Sequence, residues 1–115
     1  MELNKVILKG NLTKDPEAKE IKPRIWVCDM RVATTAGIRD GKEVPMYIDV
    51  KVWGPDAVKC KRFLGKGDEV LVDGRLKYQT WVGNDGVKRE KHFVQASSVQ
   101  FGDQDQTQSE WGSYG

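Results

Sequence analysis

A chain of 115 residues and 13.0 kDa has room for one domain. Its 53 residues of Ala, Val, Ile, Leu, Met, Phe, Trp, Cys and Gly put it in the globular range and exclude a disordered chain. The formal net charge of +2 hides a division: residues 1–101 carry 19 basic and 14 acidic groups, whereas 102–115 carry only Asp103, Asp105 and Glu110. No run approaches 18 apolar residues, which excludes a spanning helix. The opening Met1-Glu2-Leu3-Asn4-Lys5 lacks the basic start and apolar run of a secretory signal. Cys28 and Cys60 form no CxxC pattern and are expected to be reduced thiols, in keeping with a cytoplasmic location. Val and Ile number 18 against 11 for Ala and Leu, a bias toward strand.

The chain divides into short alternating segments. Val6, Leu8, Gly10 and Leu12 alternate with Lys5, Ile7, Lys9 and Asn11, a first strand that ends near Thr13-Lys14-Asp15-Pro16. After Pro23, Trp26, Cys28, Met30 and Val32 share one parity of a second strand, which makes Trp26 a core residue. Residues 36–42, polar and glycine-bearing with a basic rim, read as a flexible hairpin loop. In a third strand, Val44, Met46, Ile48, Val50 and Val52 make an unbroken apolar side. Pro55 and Asp56 then suit the first turn of a short helix over 57–64, with Gly65 and Gly67 as stop signals.

A fourth strand begins near Glu69, with Val70, Val72, Leu76 and Tyr78 on one parity and Gly74 marking a bulge or bend. A turn over 82–86 leads to a fifth strand through Phe93, Val94, Ala96, Val99 and Phe101. The expected architecture is all-β: five strands with one helix between the third and fourth is the element order of an OB-fold, a five-stranded Greek-key barrel, which strand parity by itself does not distinguish from other small barrels. It occupies residues 1–101, and 102–115 form a disordered polar, mildly acidic tail.

Parity also sorts the aromatic residues. Tyr47 and Trp53 lie on the polar side of a strand whose other side is wholly apolar, so both rings should point outward beside Lys51. Trp81 shares its parity with Arg75 and Lys77, unless a bulge at Gly74 reverses it. Exposed rings among cations suit unpaired nucleic acid, because rings stack on bases while cations track phosphates. Rings of this kind also suit a subunit interface. The candidate phosphate contacts are Lys5, Lys9, Arg31, Arg39, Lys42, Lys51, Arg75, Lys77, Lys88, Arg89 and Lys91, of which only a subset should touch a backbone.

Catalysis is not expected. His92 is the one histidine, no nucleophile or phosphate-loop motif is present, and no cofactor is called for. Two cysteines and one histidine cannot by themselves complete a structural zinc site, so no metal is expected.

Several separated motifs resemble the bacterial-type single-stranded DNA-binding protein family, over about residues 3–101. They are Asn4-Lys5-Val6-Ile7-Leu8-Lys9-Gly10-Asn11-Leu12 with Asp15-Pro16-Glu17, Tyr47 through Gly54, Lys66 through Leu76, Trp81 through Gly86, and Val99-Gln100-Phe101. The resemblance implies an OB-fold, base stacking at Tyr47, Trp53 and Trp81, and a homotetramer, with a dimer as the smaller alternative. It implies sequence-independent protection of single-stranded DNA in replication, recombination or repair. A further stacking position of the family falls on Ile38, an aliphatic side chain that can touch a base without stacking equivalently. The ending Ser109-Glu110-Trp111-Gly112-Ser113-Tyr114-Gly115 departs from the long acidic-tipped ending of many members. Recruitment of replication and repair proteins therefore lacks its usual motif, and a phage, plasmid or accessory version is as compatible as a principal one. The rival reading is an OB protein-interaction module of a replication complex, of primosomal type, with secondary DNA contact.

Overall fold

The structure is a computed structural model that describes residues 1–102. The part of the expected tail from residue 103 onward lies outside the described residues. Among those described, six strands and one helix run in the order β1 (Val6–Leu12), β2 (Glu17–Lys22), β3 (Ile25–Arg39), β4 (Lys42–Trp53), α1 (Pro55–Phe63), β5 (Glu69–Val82) and β6 (Lys88–Phe101). Neighbouring strands run β1-β5-β6-β4-β3, and β1 pairs β3 to close a five-stranded barrel. The sixth strand, β2, pairs the free edge of β3. This is the expected OB-type barrel, with the helix before its fourth barrel strand.

Valine alternation builds the interior. Val32, Val50, Val52, Val70, Val72 and Val94 are all but inaccessible and pack with Met30, Cys28 and Leu12. Each such side chain contributes roughly 1.5–3 kcal/mol by leaving water. Trp26 packs half-buried against this cluster, as its parity requires. One end of the barrel is closed by α1, which has Pro55 in its first turn and buries Ala57 and Cys60, with Leu64 buried just past its end. Burial pushes the Cys28 thiol up to about 11, with Asp29 adding to the shift. Burial, then Cys28 and Asp56, push Cys60 up to about 12.

The structure departs from the sequence reading at three places. First, β2 is an additional strand; its sequence Glu-Ala-Lys-Glu-Ile-Lys has no apolar alternation, and its form comes from pairing with β3. Second, residues 36–42 are not a flexible loop. Strand β3 runs on to Arg39, and the connection is a tight turn at Asp40-Gly41, both with positive φ (52° and 77°), as hairpin turns of the primed kind require. The β3–β4 hairpin therefore projects past the barrel, and Met46, expected on the apolar side, is exposed there. Third, the register shift at Gly74 puts its extra residue on β6. Asp73 opposes Ser98 and Gly74 opposes Ala96, so Ser97 is unpaired. Parity on β5 is therefore kept from Val70 to Trp81, whereas β6 turns Val94 inward before the bulge and Val99 toward the core after it.

Two glycines permit the closures. At Gly10, where β1 passes from β5 to β3, a Cβ would overlap the Ala33 carbonyl oxygen. At Gly74 it would overlap the Gln95 carbonyl oxygen and lie 2.9 Å from Ala96 Cα. Backbone cannot yield as a flexible side chain can, so Gly10→Ala and Gly74→Ala should each lose about 1–3 kcal/mol or more in urea unfolding. Gly37→Ala, which has open space around it, should be neutral or gain a few tenths. Because raised thiol pKa values keep the folded protein's cysteines protonated well above their ordinary 9.0, iodoacetamide at pH 8 should leave native Cys28 and Cys60 unmodified. Both should react once urea unfolds the chain.

Candidate nucleic-acid interface

Filling the barrel with one parity of each strand pushes the other parity outside. Across β3 and β4 the outward residues face one another in pairs: Asp29 with Lys51, Arg31 with Asp49, and Ala33 with Tyr47, while Trp53 opposes the buried Val27. Strand β4 also lies parallel to β6, with Lys51 beside Gln95. Strand β6 in turn pairs β5, which sets Phe93 opposite Lys77, Lys91 opposite Gln79, and Arg89 opposite Trp81. The outer surface is thus continuous from β3 through β4 and β6 to the far half of β5. Tyr47, Trp53 and Trp81 expose 51, 45 and 40% of their surface, too much for core rings.

Ile38 joins them through a second bulge. Thr35 opposes Pro45 but Gly37 opposes Val44, leaving Ala36 as the extra residue. Ile38 then opposes Glu43, which shares the parity of Pro45 and Tyr47. Without the bulge, Ile38 would fall on the side of Val44 and Met46. It is exposed near the hairpin tip.

The middle of the face is an ion-pair network. Asp49 Oδ1 accepts a hydrogen bond from Arg31 Nη1 at 3.0 Å, and Asp49 Oδ2 accepts one from Lys91 Nζ at 3.0 Å. The Arg31 guanidinium also lies 5.5 Å from the centre of the Tyr47 ring. Lys51 Nζ is 3.6 Å from Asp29 and 5.5 Å from the centre of the Phe93 ring. Partial burial of Asp49 would raise its pKa, but the hydrogen bonds and charges of Lys91 and Arg31 outweigh it and hold the carboxyl below its ordinary value.

The remaining candidate cations divide by location and partner. Lys5 pairs with Asp73 at 3.0 Å and Lys9 with Glu69 at 3.7 Å, both on the β1–β5 flank and not among Tyr47, Trp53 and the β3–β4 network. Arg89 pairs with Asp85 at 2.7 Å inside the β5–β6 turn. Among the described residues, no ion pair engages Arg39, Lys42, Arg75, Lys77 or Lys88.

Two aromatic features escape a reading of the sequence. Phe93 lies half-buried on the outer face beneath Lys51, although its odd number groups it with Val99 and Phe101. Only the unpaired Ser97 separates the two sets, and no sequence signal marks it. On the other parity of the β5–β6 hairpin, Tyr78 and His92 are register partners with ring centres 5.0 Å apart. The Tyr78 hydroxyl donates to Glu90, and that bond is the main reason its pKa is raised.

Comparison with known proteins agrees with this geometry. The profile of the "Single-strand binding protein family" matches residues 3–102. A single-stranded DNA-binding protein of Wolinella succinogenes is 36% identical over 102 residues, covering 84% of this chain and 62% of that protein. One from Helicobacter pylori is 34% identical over 105 residues, covering 87% of this chain and 58% of its own. A single-stranded DNA-binding protein 2 of Chlorobaculum tepidum is 35% identical over 105 residues, covering 87% of this chain and 71% of its own. The chain spans about six-tenths of the length of the first two. With a profile match across the whole barrel and relatives above 30% identity over most of its length, the chain belongs to the single-strand binding protein family.

Proposed function

We propose that the chain binds and protects single-stranded DNA without sequence preference, in replication, recombination or repair. The observation that carries this reading is the continuous outer face. It exposes Tyr47 and Trp53 on β4, whose other side gives Val50 and Val52 to the core, and Trp81 on the exposed β5–β6 arm, in a chain of the single-strand binding family.

In this reading bases stack on Tyr47, Trp53 and Trp81, and Ile38 adds an apolar contact at the hairpin tip. Arg75, Lys77, Lys88, Arg39 and Lys42 meet phosphates directly, having no carboxylate to leave among the described residues. Lys5, Lys9 and Arg89 would first have to part from Asp73, Glu69 and Asp85. Duplex DNA hides its base faces in the stack, so it offers these rings nothing equivalent. The exposed apolar side chains Leu3 and Ile7, at and before β1, suit assembly with further copies, and a homotetramer is the state we propose.

The test is tryptophan fluorescence titrated with oligo-dT and with duplex DNA, alongside sedimentation of both mixtures. Quenching by the single strand alone is expected; no quenching and no co-sedimentation would overturn the reading. Stacking on a ring is worth about 1–3 kcal/mol per base, a general value for OB-type single-strand binders that includes this family. Trp53→Ala should accordingly weaken oligo-dT binding roughly 5- to 150-fold while leaving the urea midpoint nearly unchanged.

A further inference from the structure

We propose that Arg31 and Lys91 form a phosphate-binding subsite in the centre of the outer face, occupied in the free protein by the carboxylate of Asp49. The proposal rests on the single-strand reading above and adds to it a specific cation pair and an internal competitor.

The geometry is that of an oxyanion already held. Each Asp49 oxygen faces a different cation, Arg31 Nη1 and Lys91 Nζ, both at 3.0 Å. Two non-bridging oxygens of a phosphodiester present the same pair of acceptors to the same donors. The cations come from strands on either side of the one that carries Asp49, β3 and β6, so strand pairing fixes their separation. Arg31 also touches Tyr47, so a phosphate bound there would sit beside a ring proposed to stack a base.

Space and exposure allow the exchange. Asp49 and Lys91 line a cleft of about 200 Å³ together with Lys14, Lys51, Glu17 and Asp29, whereas Arg31 is not among its lining residues. The side chains of Arg31, Lys91 and Asp49 are 46, 38 and 32% exposed, so the bonds to be broken are solvent-facing ones. Exposed pairs of this kind are individually weak, so a strand that brings several contacts at once can displace the carboxylate. The displaced Asp49 then stays close to the phosphate as an unpaired like charge. Its presence lowers affinity and reduces the net number of counterions released.

Asp49→Asn keeps the shape and removes the charge. In the full chain, oligo-dT binding measured across a series of NaCl concentrations should tighten several-fold at the low-salt end. The slope of log K against log[salt] should steepen by roughly 0.7 for each cation released to phosphate. Lys91→Gln should do the reverse, and adding it to Asp49→Asn should cancel the steepening. Asp56→Asn, the same charge change on α1, should alter the slope little. If Asp49→Asn leaves the slope unchanged or weakens binding, Asp49 only positions its partners and the subsite is wrong. If Asp56→Asn steepens the slope equally, the effect is net charge, and the subsite is again wrong. Failure of the unmodified protein to bind oligo-dT would instead overturn the single-strand reading.

Discussion

A small closed barrel has one interior, and each strand can give it only one side. Here that side is taken by Val50, Val52, Val70, Val72 and Val94, packed without measurable exposure or nearly so. That commitment decides where the other side chains lie. Tyr47, Asp49, Lys51 and Trp53 alternate with the valines of β4 and have nowhere to go but outward. Their rings and charges are held on a rigid framework because their neighbours are locked in the core. Closure in turn depends on two points of close backbone approach, at Gly10 and Gly74, where no other side chain fits. The same packing that stabilises the fold therefore also displays the outer face.

Alternation alone would give a poorer face than the one present. Two unpaired residues, Ala36 on β3 and Ser97 on β6, each shift the parity of the strand beyond them. The first moves Ile38 to the side of Tyr47. The second lets β6 send Lys91 and Phe93 outward and later turn Val99 and Phe101 toward the core. Each bulge trades one ladder position for an extra change of direction, at a place where one strand serves two surroundings.

These bulges also mark where the sequence stops being legible. The inward valines, the outward Tyr47 and Trp53, and the helix after Gly54 can be read because period-2 and helical patterns survive intact there. Strand β2 cannot, since Glu17–Lys22 has no buried side and becomes a strand only by pairing β3. Phe93 is hidden because it shares odd numbering with true core residues beyond Ser97. The β3–β4 turn misleads for a related reason: polar residues 36–39 look like loop, yet an exposed hairpin arm needs no apolar alternation. The ion-pair network is beyond sequence reading altogether. Arg31 and Asp49 are 18 positions apart and Asp49 and Lys91 are 42 apart, and only strand register brings them together.

Register also decides where the charge is available. The three cations at the centre of the face, Arg31, Lys51 and Lys91, share two carboxylates, Asp49 and Asp29, so that region is close to neutral. Of the candidate phosphate contacts, those without ion pairs among the described residues lie toward the hairpin arms: Arg39 and Lys42 flanking the β3–β4 turn, Arg75 and Lys77 on β5, and Lys88 at the start of β6. A polyanion approaching from solution is drawn first by charges that no neighbour screens. The arms would then gather the strand, and the centre, where Tyr47 and Trp53 lie, would hold its bases. Under the proposed function this divides the work physically. Most of the salt-sensitive attraction belongs to the arms, whereas stacking, which salt barely touches, belongs to rings such as Trp53 anchored on the barrel.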